Sequence, residues 1–264
     1  MAPNAQPFRF LHLSKELRLM VYERLPITTR HLEIIGFELL DFAPVVRTLP
    51  VAILATCRLV NSEAGAILKP KLDYLRSTPP RFVISSGVFP GEGEMAYRTP
   101  DLGIDWVSFL LRLRPGQIGD IKTWTANKEK YHAPRSIADS SPSDTRRLTQ
   151  FVRHAHLVYV EQSVPAEICI HGFEYECDVD VRDVFPEEAS DFVELWNWGP
   201  NVRLFAVHPD DDLTREVLEE SLTKAFEEAE EGNRRDGLKP PACQLGGLVD
   251  SQTWWLEWAE GERY

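Results

Sequence analysis

Apolar residues recur along this chain at two spacings, one close to 3.6 and one close to 2, and these spacings mark out its elements. Leu17, Met20, Val21 and Leu25 fall at i, i+3, i+4 and i+8, which is one stripe on a helical surface. Ser14 stands where a hydroxyl can accept from a backbone N–H one turn in. Glu16 puts negative charge at the positive end of the helix dipole, and Pro26 marks the stop. Such a stripe either packs on the chain's own core or faces a partner. Residues 30–48 show no clear period and read as a connector with a short extended piece. From Pro50, well placed for a first helical turn, Leu54, Cys57, Asn61, Ala64 and Leu68 follow at helical spacing. Val51, Val60, Ile67 and Leu75 widen that face. Pro70 is expected to kink or end this helix, because it removes a donor and crowds the preceding turn. Thr78-Pro79-Pro80 reads as the boundary of an N-terminal module.

Beyond that boundary, residues 81–89 read as a strand and 90–103 as a Gly/Pro-rich loop. Residues 104–113 are too dense in apolar side chains for period to separate a buried helix from a strand, and helix is preferred. Residues 115–142 are polar and carry Pro and Ser, as a long surface loop or an excursion from the core would. Ser143 can cap a helix bearing Leu148, Phe151, Val152 and Ala155, and 156–160 reads as a strand. Over 167–181, Cys169, His171, Phe173, Tyr175, Cys177, Val179 and Val181 alternate with Glu174, Glu176, Asp178 and Asp180. That pattern predicts a strand with one face buried and one in water, with Gly172 marking a bulge or a turn. Pro186 opens a helix with Ala189, Phe192, Val193 and Trp196 inward, closed by Gly199-Pro200. Residues 202–207 form a further strand. A helix from 210 to Gly232 follows, with Val217, Leu218, Leu222, Ala225, Phe226 and Ala229 on one side. Trp254, Trp255 and Trp258 are expected to dock on the body as core, with a partner-facing anchor as the alternative.

Composition narrows the class. A chain of 264 residues with 43% hydrophobic and 10% aromatic content can bury a real core. No apolar run approaches the roughly 18 residues of a membrane span, and the first residues lack the basic and apolar regions of a signal peptide. Cys57, Cys169, Cys177 and Cys243 are few and scattered, which suits reduced thiols in a cytoplasmic or nuclear protein. The net charge of −12 is unevenly placed: through Pro80, ten Lys/Arg face seven Asp/Glu, whereas from Glu174 to Glu231 four face nineteen. A field of that sign repels phosphate backbones, so nucleic acid is not an expected partner of the C-terminal part, and the lack of an apolar span leaves no membrane expected either.

Candidate chemistry is thin. Gly91, Gly93 and Ala96 satisfy the letter of a dinucleotide-binding turn. Pro100 leaves no expected helix behind them, however, and Glu92 and Glu94 would repel phosphate. Cys169, His171 and Cys177, with His154 and His156, suggest a metal only if the chain turns back at Gly172. In one extended strand Cys169 and Cys177 are roughly 26 Å apart. Cys57 reads as a buried thiol on an inward helix face, hence inert. Acidic residues at 210–212 have an ordinary helix-dipole explanation. The chain contains no nucleophile elbow, no paired-histidine zinc motif and no phosphate-binding loop. No catalytic residue, cofactor or metal site is expected.

Two segments carry a resemblance. Phe10, Leu13, Glu16, Leu17, Arg18, Val21 and Tyr22, followed by Leu54, Cys57, Arg58, Glu63 and Ala64, resemble the F-box and, more closely, its fungal F-box-like and two-EXR relatives. Ser14 stands where the F-box usually has proline, and the gap between the two segments is longer, as in the two-EXR families. The order of elements beyond residue 81 gives an α+β protein, and the resemblance reads residues 8–78 as an F-box-like helical module packed on that mixed α/β part (81–264) with a small sheet. The resemblance also implies a non-enzymatic interaction module, a substrate receptor whose partners are the adaptor of a cullin–RING ubiquitin ligase and an unknown protein substrate. Leu13, Ser14, Leu17, Val21 and Pro26 would be the docking residues. The alternative is a self-contained protein in which these helices are internal core and no adaptor binds. Burial or exposure of Leu17 and Val21 separates the two.

Overall fold

Helical spacing in the sequence becomes helix almost throughout, and the apolar runs between become a sheet. The computed structural model describes residues 9–32, 35–37, 40–86, 99–114, 116–117, 142–171, 201–207, 212–235 and 243–262. In chain order the elements are α1 (Lys15–Glu23), β1 (Thr28–His31), β2 (Ile35–Phe37), β3 (Leu40–Thr48), α2 (Arg58–Ser77), β4 (Arg81–Ser86), α3 (Thr99–Arg112), α4 (Pro142–Ala155), β5 (Ala166–His171), β6 (Val202–Val207), α5 (Asp212–Arg235), β7 (Cys243–Val249) and β8 (Gly261–Glu262). The class is α+β. The chain forms two units. Of the described residues the first holds 9–29, 47–78 and 261–262, and the second holds 30–46 and 79–260. The outline therefore differs from the expected module of 8–78. Arg30–Val46 belongs with the sheet, and 261–262 joins the first unit.

The first unit is built on Tyr22, Leu49, Val60, Ala64 and Leu68, with Phe10, Leu19, Leu25, Ile53, Leu54 and Ile67 packed around them. Its long helix starts later than Pro50. A 3-10 turn spans Val51–Ala55, and Cys57 caps α2 by accepting from the Val60 N–H at 3.5 Å. Cys57 is thus a half-buried cap and not an inward-facing helical residue, and Asn61 is exposed, with Nδ2 donating to the Leu54 carbonyl at 2.9 Å. Pro70 does not end α2, which continues to Ser77. Ala66, whose carbonyl loses its helical partner to Pro70, is exposed and open to water, while Leu68 and Leu72 on either side pack into the core. β8 closes this unit antiparallel to β1, pairing Thr28 with Glu262 and Thr29 with Gly261.

The second unit is a sheet in the order β7-β6-β5-β4-β3, with β2 also on β3. Within the stretch 30–48 that showed no period, residues 30–31, 35–37 and 40–48 are strand, so the sheet is larger than expected. β3 runs antiparallel to β2 and β4, whereas β4, β5, β6 and β7 are mutually parallel. Parallel neighbours require crossovers, and α3, α4 and α5 lie in those connections. One face packs Phe42, Phe82, Ile84, Ile168, Ile170 and Leu204 against Trp106, Val107, Leu110 and Leu111 of α3 and Leu148, Phe151, Val152 and Ala155 of α4. The other face packs Val45, Val83, Cys169 and Val249 against Trp254, Trp258 and Ala259. β5 is consequently buried on both sides over Ala166 to Ile170, not one-sided as its acidic continuation suggested. At the edge, Gly246 approaches β6 so closely that a Cβ would stand 2.7 Å from the Phe205 ring and 2.8 Å from the Leu204 carbonyl. Gly247, at φ +97°, follows beside the register shift at Leu204/Phe205.

Other expectations change locally. Residues 156–160 are not a strand: α4 runs on into a π-helical turn, His156–Glu161, with Val158 buried and Leu157 and Val160 exposed. A helix, α3, does begin near the glycine pair, with Pro100 in its first turn, so the geometric objection to a dinucleotide site does not hold. Gly91, Gly93 and Ala96 lie outside the described residues, as do the predicted helix from Pro186 and Cys177. α5 passes Gly232 and ends at Arg235. Trp254 and Trp258 are core, whereas Trp255 is 68% exposed.

Candidate functional site

The two faces of α1 carry opposite chemistry to that of an ordinary amphipathic helix. Arg18 and Tyr22, one turn apart, point inward and are buried. The apolar stripe points out: Leu17, Met20 and Val21 are 48%, 54% and 41% exposed. With Leu13, Arg24 and Leu25 they line an open groove of about 500 Å³. Large apolar side chains scattered singly over a surface are common; here three of them stand in one contiguous row on one helix.

Polar bonds keep the helix in this orientation. The Arg18 guanidinium forks onto Glu63 of α2, Nε to Oε2 at 2.9 Å and Nη2 to Oε1 at 2.6 Å, and its Nη1 donates to the Leu13 carbonyl at 2.6 Å. Only 10% and 8% of the two side chains are exposed. The Tyr22 hydroxyl donates to Glu63 Oε2 at 3.4 Å, and the Phe10 ring meets Tyr22 edge-on at 5.6 Å. At the other end of α1, Lys71 Nζ donates to the Glu23 and Leu25 carbonyls at 2.8 and 2.9 Å, satisfying acceptors that a helix end leaves open. The hydrogen bond from Arg18, and then its charge, hold the Glu63 carboxyl below the usual range, while the bond to Glu63 raises Arg18. Burial in the first place, with Glu63 beside it, pushes the Tyr22 phenol up.

The expected docking residues divide. Leu13, Leu17 and Val21 line the groove; Ser14 and Pro26 do not, although Ser14 is exposed and Pro26 half-exposed. Ser14 is the N-cap but its side chain bonds no backbone N–H. The Glu16 carboxyl is held low first by its backbone hydrogen bond at the helix start and then by the nearby Ser14. Met20, Arg24 and Leu25 were outside the expected docking set. Met20 and Leu25 stand in the apolar stripe itself, and Arg24, at i+3 from Val21 and i+7 from Leu17, extends the same face by helical spacing. Of the motif residues, Arg18, Tyr22 and Glu63 meet each other, Phe10, Leu54 and Ala64 pack in the unit's core, and Leu13, Leu17 and Val21 line the open face.

Elsewhere, Cys169 lies buried in the sheet, where burial pushes its thiol pKa up, and Cys243 is likewise raised to about 12. Neither suits a thiolate nucleophile. His156 contacts Glu161 at 3.6 Å, and among the described residues no group of three His, Cys, Asp or Glu is placed to hold a metal. Within the same residues no helix is long and apolar enough to cross a membrane. No family model, curated protein or solved structure matches the chain.

Proposed function

We propose that the chain is a non-enzymatic interaction module that docks a protein partner through the exposed face of α1. On the F-box-like resemblance that partner is the adaptor of a cullin–RING ubiquitin ligase, and the sheet unit presents a substrate. The observation that supports this reading is the exposure of Leu17 and Val21 on a helix whose polar residues are turned inward. A second reading, in which the pattern only holds two helices together and no adaptor binds, draws support from the Arg18–Glu63 fork, which is wholly internal to the unit. Co-purification of the chain with the ligase adaptor, wild type beside Leu17→Asp, separates them. Charging a central anchor is expected to cost roughly 2–4 kcal/mol of binding, enough to abolish a micromolar complex. Because Leu17 is half in water, the variant is expected to keep its circular dichroism. Failure of the folded wild type to bind would leave the second reading.

A further inference from the structure

The charges along the open face of α1 are arranged symmetrically about one residue. Met20 is exposed, and Glu16 and Arg24, also exposed, stand four residues before and after it. At 1.5 Å of rise per helical residue, each lies about 6 Å along the axis from Met20, in opposite directions. Arg24 is the C-cap of α1 and keeps αR backbone, so the spacing holds to that end. Leu17 and Val21, exposed as well, fill the row between them. Among the described residues, neither the Glu16 carboxylate nor the Arg24 guanidinium is placed in a salt bridge within the chain. Arg24 lines the apolar groove itself, so whatever covers the groove must bring it a carboxylate or strand a desolvated cation.

A surface that closes on a copy of itself must be self-complementary, each residue meeting the one that meets it. Two α1 helices laid antiparallel about a two-fold axis at Met20 satisfy this. Met20 packs on Met20, Leu17 and Val21 of each helix lie in the groove of the other, and each Arg24 comes level with the second copy's Glu16. Parallel helices would set Glu16 beside Glu16 and Arg24 beside Arg24, so the charges select the antiparallel arrangement. We propose that α1 is the contact face of a symmetric dimer, in which a second copy of the chain covers the groove and two Arg24–Glu16 pairs flank Met20. The row is short, and an interface well under about 1,200 Å² holds a weak pair that forms and parts with concentration. The dimer and any other partner of α1 therefore exclude each other. This inference rests on the reading of α1 as a docking face, but not on the ligase adaptor as what docks there.

The test is sedimentation velocity of the full chain alone, from about 5 to 500 μM. Wild type is expected to pass reversibly from monomer to dimer. Arg24→Glu and Glu16→Arg each set like charges level across the axis, and each alone is expected to weaken dimerisation on the order of tenfold. Mixed in equal amounts, the two variants regain both opposite-charge pairs, and the mixture is expected to dimerise within a few-fold of wild type. A wild type that stays monomeric, single variants that dimerise like wild type, or a mixture no better than its components overturns the proposal. If circular dichroism shows that Glu16→Arg does not fold, Met20→Arg and Met20→Glu take the place of the pair. These repel across the axis separately and attract when mixed, and are judged by the same outcomes. The adaptor takes no part in the measurement, so its failure to bind would leave the dimer standing, and loss of the dimer would leave adaptor binding open to its own test.

Discussion

A single carboxylate, Glu63, decides which way α1 faces. It accepts from Arg18 twice and from Tyr22 once, so that a helix with an apolar stripe buries its polar side. Glu63→Gln is expected to lower the melting temperature, because a neutral amide cannot match the fork. The pH dependence follows from the depressed Glu63 pKa. The fork's contribution is complete above the ordinary glutamate value of roughly 4.3 and fades as pH falls through the lower value in the folded state. Thermal unfolding of both proteins from pH 7 to 3 should therefore show the gap close in acid; a constant gap would refute the assignment. The stripe itself was legible, since spacing alone places Leu17, Met20 and Val21 together. Its outward direction was not, because period gives a face and not what lies against it. Only a partner forty-five residues away, Glu63, supplies that.

At the scale of elements the sequence misled where one residue type was given its average weight. Pro70 was expected to kink or end α2 and does not end it, because Leu68 and Leu72 are anchored on both sides while Ala66 and Pro70 face water. A proline in a helix interior costs about 3 kcal/mol, partly offset by the freedom it removes from the unfolded chain. Pro70→Ala is thus expected to stabilise the protein by about 1–2 kcal/mol in urea unfolding, with no shift in helix boundaries. The π-helical turn at His156–Glu161 was misread for a related reason. Its β-branched residues suit a strand, but α4 feeds directly into it and only Val158 needs a buried site. Where apolar density rather than period carried the reading, as in α3, helix was correctly preferred, and Trp106, Val107, Leu110 and Leu111 are its buried face.

For the whole molecule, long-range pairing sets the plan, and that is what local pattern conveys least. Residues 40–45 had no clear period of their own, and they become strand as neighbours of β4 in a sheet. Arg81 shows the same dependence, meeting Glu167 and Glu257 from distant parts of the chain. Arg81→Met is expected to cost about 3–5 kcal/mol, because it leaves the buried Glu167 with only the partly exposed Arg203, at 3.8 Å, as an ion-pair partner. Arg81→Met combined with Glu167→Leu should recover most of that loss, as chemical denaturation of the pair of variants would show. The pairing of β8 with Thr28 and Thr29 carries a consequence for biosynthesis. On a ribosome adding residues at 5–20 per second, the edge of β1 waits roughly 10–50 s for Gly261 and Glu262 to be made. Throughout that interval the nascent chain presents an open strand edge beside an exposed apolar helix, which makes it a natural client for chaperones until Gly261 and Glu262 emerge.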